Sequence, residues 1–323
     1  GNDHRLGANE APPAILSVYL GEELSEVVDA LEQNKKYAGK GKQTMKLGVD
    51  TLPELPKDTT DRNRTSPFAF TGNKFEFRML GSTFSIAGPN IILNTIVADA
   101  LREFADELEG AEDFNAALHD LVVRTIRAHK RILFNGNNYS EEWAQEAERR
   151  GLLNLKNAAE ALPHFAARKN VELFERNHVF TEREVRSRME IMLENYSKAI
   201  TIEALTMIEM GRRDIYPAVN DYIADLCRVV ERKKALHIES PSAQVLAEKL
   251  SATNEAMYAK AGELEKLVAE GKDIHGAEVQ ARFFADKVLP VMNAMRACAD
   301  EMEVHTAKKY WPFPTYGDIL FSV

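Results

Sequence analysis

Two patterns of apolar and polar positions divide the chain. In Lys74-Phe75-Glu76-Phe77-Arg78 apolar and charged residues alternate with period two, the side-chain period of a β-strand. Phe75 and Phe77 are thereby assigned to one face, expected to lie in the core, and Lys74, Glu76 and Arg78 to the other. A second strand is predicted over residues 14–20, rich in β-branched and aromatic side chains. Residues 21–31 follow as a short helix with acidic residues at its start, where the helix dipole favours them. After a glycine- and serine-containing turn the spacing changes to three and four. Ile91, Val97, Leu101, Phe104 and Leu108 mark a helix over 90–108, and residues 114–134 mark another, stopped by Asn135-Gly136-Asn137-Asn138.

From residue 112 onward the pattern is helical throughout. Ser140 predicts the cap of a short helix ending at Gly151. Thr181 and Glu184 have capping-box spacing for a long helix to Gly211, with Val185, Met189, Met192, Tyr196 and Ala199 as its apolar stripe. Further helices are predicted over 214–237, with Pro217 in the first turn, and from Ser240-Pro241 to Gly271. A last one spans 277–307, where Pro290 predicts a kink. Long amphipathic helices gain most of their stability by packing, so an antiparallel bundle is expected. Met189, Met192, Met207, Met210, Met292 and Met295 are read as core filling. The fold class is therefore α+β, with strands in residues 1–110 and an all-α bundle in 111–323. The aromatic, proline-punctuated tail over 310–321 is expected to dock on its own domain or a neighbouring subunit.

Composition adds exclusions. The chain has 323 residues, 45% of them hydrophobic, which is enough for two or more cores. A net charge of -9 and a pI near 5.5 argue against a general nucleic-acid binder. There is no apolar run of about 18 residues, so no membrane helix is predicted, and the polar first residues show no secretory pattern. Cys227 and Cys298 are read as buried free thiols in a reducing compartment, which points to the cytoplasm. His164, His178, His237, His275 and His305 lack metal-ligand spacing and are read as surface or capping residues. The chain opens at Gly1 rather than a methionine, which is read as the C-terminal part of a longer polypeptide.

Two charged stretches are candidates for chemistry. Residues 34–42 are basic and glycine-bearing, but Gln43 follows Gly41-Lys42 and no glycine stands five residues before Gly41, so a P-loop is rejected. An exposed loop is expected instead. In residues 57–78, Arg62 and Arg64 precede the alternating strand. With Lys74 and Arg78 they set four cations around the carboxylate of Glu76, which suits a nucleotide phosphate with Glu76 holding a divalent metal. The competing reading of that face is a solvated ladder of ion pairs.

Asn63-Arg64-Thr65-Ser66 followed by Phe75-Glu76-Phe77-Arg78 resembles the C-terminal catalytic motifs of glutamine synthetase. Residues 2–12, ending Glu10-Ala11-Pro12, resemble the same family's Glu-Ala-Pro segment, and the wording is nearest the type III branch. The resemblance covers residues 1 to about 110 directly, and the remainder by association with the type III helical tail. It implies a glutamine-synthetase-type catalytic sheet in 1–110, with residues 90–108 packed behind it. The implied reaction joins ammonium to L-glutamate with ATP through γ-glutamyl phosphate, with Mg2+ or Mn2+, in a homo-oligomeric ring. Arg5 resembles the arginine on the substrate carboxylate, and Glu10 the flap glutamate that takes a proton from ammonium. Arg64 resembles the arginine on the transferred phosphate, Lys74 a nucleotide-phosphate contact, Glu76 a metal ligand and Arg78 a contact to the phosphorylated intermediate. Ala69 stands where the commoner type has a second arginine, and Arg62 is offered as its substitute. Two alternatives stay open, a helical oligomerisation module and a related γ-glutamyl amine ligase. The loop around Arg5 and Glu10 favours the glutamate–ammonia branch.

Overall fold

The computed structural model describes residues 15–37, 39, 44–45, 55–56, 67–78 and 85–321. It divides into two compact units, Gly1–Val185 and Arg186–Val323. The first begins with β1 (Val18–Tyr19), α1 (Gly21–Glu32), the short antiparallel pair β2 (Thr44–Met45) and β3 (Leu55–Pro56), then β4 (Phe68–Phe70) and β5 (Phe75–Phe77). β1 pairs in parallel with β4, and β4 pairs antiparallel with β5, giving the order β1-β4-β5. The strand predicted over 14–20 is thus much shorter. Its ends are engaged elsewhere: buried Ser17 donates to Asn138, and the Leu20 amide is held by the Asn135 side chain where α1 begins.

Helices complete this unit: α2 (Ala87–Leu108), α3 (Phe114–His129), α4 (Glu141–Arg149), α5 (Ala158–Ala161) and α6 (Arg168–Arg176). α2 starts earlier than the spacing predicts because Pro89 falls in its first turn, where a missing N–H costs nothing. Its burial is inverted. Thr95 and Asp99 are buried, whereas Ile91, Ile92, Ile96, Val97 and Leu101 are exposed. Asp99 is buried because it is paired. Arg176 Nε and Asn177 Nδ2 each donate to Oδ1 at 2.8 Å, and Arg102 adds a third contact at 2.8 Å. The Arg176 hydrogen bonds, more than any other cause, hold its carboxyl far below the usual range.

Ser140 caps α4 as expected, its hydroxyl accepting from the Trp143 amide. α4 turns Trp143 and Ala147 into a core with Ile15, and Phe134 stacks on Trp143 at 3.8 Å between ring centroids. A second cluster joins Val171, Phe174 and Val185.

The long helix α7 (Glu182–Glu209) opens on the predicted capping box, in which the Thr181 amide donates to Glu184 and the Glu184 amide to Thr181. The boundary between the two units falls within α7. Its buried apolar positions are Val185, Leu193, Tyr196, Ile200, Ala204 and Ile208, so Val185 and Tyr196 are buried as predicted while Met189, Met192 and Ala199 are half-buried. The break predicted at Gly211 does not occur. Residues Met210–Ile215 form a π-turn that passes directly into α8 (Tyr216–Ala235). Gly211 is buried inside that turn, where a Cβ would collide with the Met295 methyl. Pro217 follows the turn closely, and the same order recurs later. There α10 (Ala277–Phe283) leads through a π-turn at Phe284–Val288 into α11 (Leu289–His305), which carries Pro290. A proline ring crowds the carbonyl one turn back, and the wider turn before each proline makes room for it. A π-turn thus stands where the sequence predicts a kink.

The second unit is organised on α9 (Pro241–Lys272), which packs against α8 and α11. Its buried positions, Ala247, Leu250, Asn254, Met257, Ala261, Leu264, Val268 and Gly271, alternate spacings of three and four without a break. Buried Asn254 donates to the Tyr216 carbonyl at 3.0 Å and to Asn220 at 3.3 Å. Of the methionines read as core filling, Met292 and Met295 are buried and are joined by Met257 and Met302, whereas Met189, Met192, Met207 and Met210 are only half-buried. Ser240 makes no side-chain capping bond, so Pro241 alone marks the start of α9. Cys227 is exposed and Cys298 half-buried, which corrects the expectation that both thiols are buried. The tail folds back on its own unit at Tyr310, whose ring lies 5.2 Å from Tyr222 of α8. It ends in α12 (Tyr316–Leu320), capped reciprocally by Thr315 and Asp318.

Candidate functional site

The charged strand is half of a hairpin. The Thr71 amide donates to the Lys74 carbonyl at 2.8 Å and the Arg78 amide to the Pro67 carbonyl at 2.7 Å. Only Gly72 and Asn73 form the loop, and Gly72, at φ +100°, occupies the left-handed position such a loop requires. The register sets Phe68 opposite Phe77, Ala69 opposite Glu76 and Phe70 opposite Phe75. One face is therefore aromatic: Phe75 lies 5.5 Å from Phe68 and 5.3 Å from Phe70. The expectation that Phe75 and Phe77 lie in the core needs correcting, since Phe75 is 49% exposed and Phe77 half-buried. The fully buried residue of the hairpin is Ala69, on the face of Glu76. Alternation identifies two faces but not which of them is covered.

On the charged face Lys74, Glu76 and Arg78 meet. Glu76 Oε2 accepts from Arg78 Nε at 3.2 Å and Nη2 at 3.0 Å, while Oε1 lies 3.3 Å from Lys74 Nζ and 3.4 Å from the Thr71 hydroxyl. The Arg78 hydrogen bonds, then the Lys74 contact, hold the Glu76 carboxyl below the ordinary glutamate value. A lowered pKa favours the folded form above the unfolded value, and that contribution is lost as pH falls through the folded one. Two positive side chains converging on one carboxylate can neutralise a phosphate that takes its place or stands beside it.

The register also brings in one residue that local spacing did not single out. Tyr19, Ala69 and Glu76 form one row across β1, β4 and β5, so Tyr19 shares the charged face. The signal lay in the parity of Ser17 and Tyr19, but pairing with a strand 50 residues away is not written in local spacing. Arg5, Glu10, Arg62 and Arg64, with Asn63, lie outside the described residues.

These residues alone do not fit a divalent metal. Glu76 is a single carboxylate with both oxygens engaged, and no group of three or more His, Cys, Asp or Glu that could hold an ion occurs among the described residues. A hard cation of this class takes roughly six oxygen ligands.

Residues 117–234, from α3 to α8, match the family model described as the glutamine synthetase C-terminal domain. The chain is 38% identical to a type-3 glutamine synthetase of Dictyostelium discoideum over 99% of its own length and 45% of that protein's. It is 40% identical to a glutamine synthetase of Butyrivibrio fibrisolvens, over 100% of this chain and 46% of the relative. Identity to a glutamine synthetase of Bacteroides fragilis (strain YCH46) is 34%, over 100% and 46%. The chain therefore spans a little under half the length of these relatives. Along its whole length the chain is related to the glutamine synthetases, a type-3 member among them, and residues 117–234 match their C-terminal domain.

Proposed function

We propose that this chain is the C-terminal part of a glutamine synthetase, with residues 1–110 closing the catalytic domain and 111–323 forming the helical domain. The observation that carries this reading is the convergence of Lys74, Glu76 and Arg78 on one strand face, in a chain similar throughout to glutamine synthetases. In the reaction, a γ-carboxylate oxygen of glutamate attacks the γ-phosphorus of ATP, and ADP leaves. Ammonium gives a proton to Glu10, and the ammonia formed attacks the acyl carbon of γ-glutamyl phosphate, releasing phosphate. Phosphoryl transfer of this kind needs positioning and charge neutralisation more than covalent help. Arg64, Lys74 and Arg62 supply that neutralisation, Arg5 holds the substrate carboxylate and Arg78 contacts the intermediate. Glu76 supplies one carboxylate to a magnesium or manganese site whose other ligands come from outside the described residues. The uncovered apolar face of α2 supports a larger catalytic domain, and assembly into a ring and cytoplasmic location follow the same reading.

Two experiments test it. The purified chain alone should form no glutamine from ATP, glutamate and ammonium, because Glu76 by itself cannot make the metal site; robust turnover would refute the need for further residues. In a protein of the relatives' length, Glu76→Gln should weaken ATP binding most at limiting magnesium. If Glu76 serves only as an ion pair, the variant loses stability while the magnesium dependence of ATP affinity stays as it was.

A further inference from the structure

The turn that follows α3 grips β1 at three points. Before the strand, the Ser17 hydroxyl donates to Asn138 Oδ1 at 2.6 Å, with both residues buried. Within it, the Phe134 amide donates to the Val18 carbonyl at 3.0 Å, and Leu133 forms a parallel bridge with Val18. After it, Asn135 Oδ1 accepts from the amides of Leu20 at 3.0 Å and Gly21 at 3.2 Å, and Asn135 Nδ2 donates to Ser25. The α1 N-terminus makes no side-chain capping bond of its own at Leu20, so Asn135 stands in as its cap from a distant part of the chain. The turn is itself held. Phe134 stacks on buried Trp143, and Arg150 donates to the Leu133 carbonyl at 2.9 Å while lying over the Trp143 ring. Beyond β1 lies β4, and beyond β4 the strand with Glu76.

We infer that residues 133–138 form a positioning clamp, through which the helical region sets the placement of the hairpin bearing Lys74, Glu76 and Arg78. The reason is mechanical. β1 is only two residues long and makes few ladder bonds of its own, so its register against β4 depends on the contacts at its two ends. A slip of one residue would turn every side chain of a strand to the opposite face. Asn135 and Asn138 act through β1, so they are positioning residues; the catalytic consequence rests on the ligase reading, and the structural one does not.

The test compares Asn138→Ala, Asn135→Ala and Ser17→Ala with a control, Phe174→Leu, which loosens the separate cluster of Val171 and Val185. Amide hydrogen exchange is read in this chain at Thr71 and Arg78, the two amides that close the hairpin. The clamp variants should speed exchange at both by about 2- to 30-fold relative to the control. Unchanged exchange at these amides, or the same change in the control, overturns the clamp. A variant that fails to fold is replaced in the comparison by the other two. In a protein of the relatives' length, the same variants should raise KM for ATP, and any fall in kcat should accompany that rise, because Lys74, Glu76 and Arg78 are displaced together. Loss of kcat with unchanged KM overturns the positioning role. If the unsubstituted protein makes no glutamine, the ligase reading falls, and the exchange rates still decide the clamp.

Discussion

Glu10→Ala, made in a protein of the relatives' length, should hydrolyse ATP without making an equivalent amount of glutamine. Glu10 is assigned the proton from ammonium, and only the neutral amine has a lone pair to attack the acyl phosphate. General acid–base groups of this kind contribute roughly 10²- to 10⁴-fold, so glutamine formation should fall by that factor. The first half of the reaction needs no such proton transfer. γ-Glutamyl phosphate should still form, stay unprotected and be lost to water. Measuring ADP and glutamine together in the same assay separates the steps: ADP should exceed glutamine several-fold. Matched amounts at the normal rate would leave Glu10 without a part in the chemistry and remove the proposed base. A fall in both products together, still matched one to one, would place Glu10 in the phosphoryl-transfer step instead, contrary to the assignment.

Trp143→Ala should be the most destabilising single change in the first unit. Trp143 is among the largest fully buried side chains, lies in the core with Ile15 and Ala147, and stacks on Phe134. Deleting a buried aromatic ring removes its transfer free energy and leaves a cavity, at a cost of about 3–5 kcal/mol. The damage should spread to the turn at 133–138, because Phe134 loses the surface it stacks on. Denaturant unfolding followed by circular dichroism reads the loss, and the remaining tryptophan, Trp311, reports separately on the tail. A shift below about 1 kcal/mol would mean that the site collapses around the change and that Trp143 is not what holds the turn.

The sequence by itself determined whatever rests on near neighbours. The alternation at 74–78, the capping box of Thr181 and Glu184, the cap at Ser140 and the helical spacing beyond residue 90 involve partners within one or two turns, and each is present in the structure. The meeting of Lys74, Glu76 and Arg78 was legible for the same reason, since residues two apart on a strand share a face. The π-turns before Pro217 and Pro290 were not, because spacing locates a proline's conflict without saying how the backbone relieves it. Tertiary structure alone decided which faces are covered. α2 leaves its isoleucines exposed, and it buries Asp99 because the charge is paired with Arg176, 77 residues away, a partner no local pattern shows. Ala69 rather than Phe75 is buried in the hairpin. Asn135, read from sequence as the end of one helix, caps the start of another 114 residues earlier. Periodicity states that a strand or helix has two sides; only the long-range pairings of the folded chain state what each side meets.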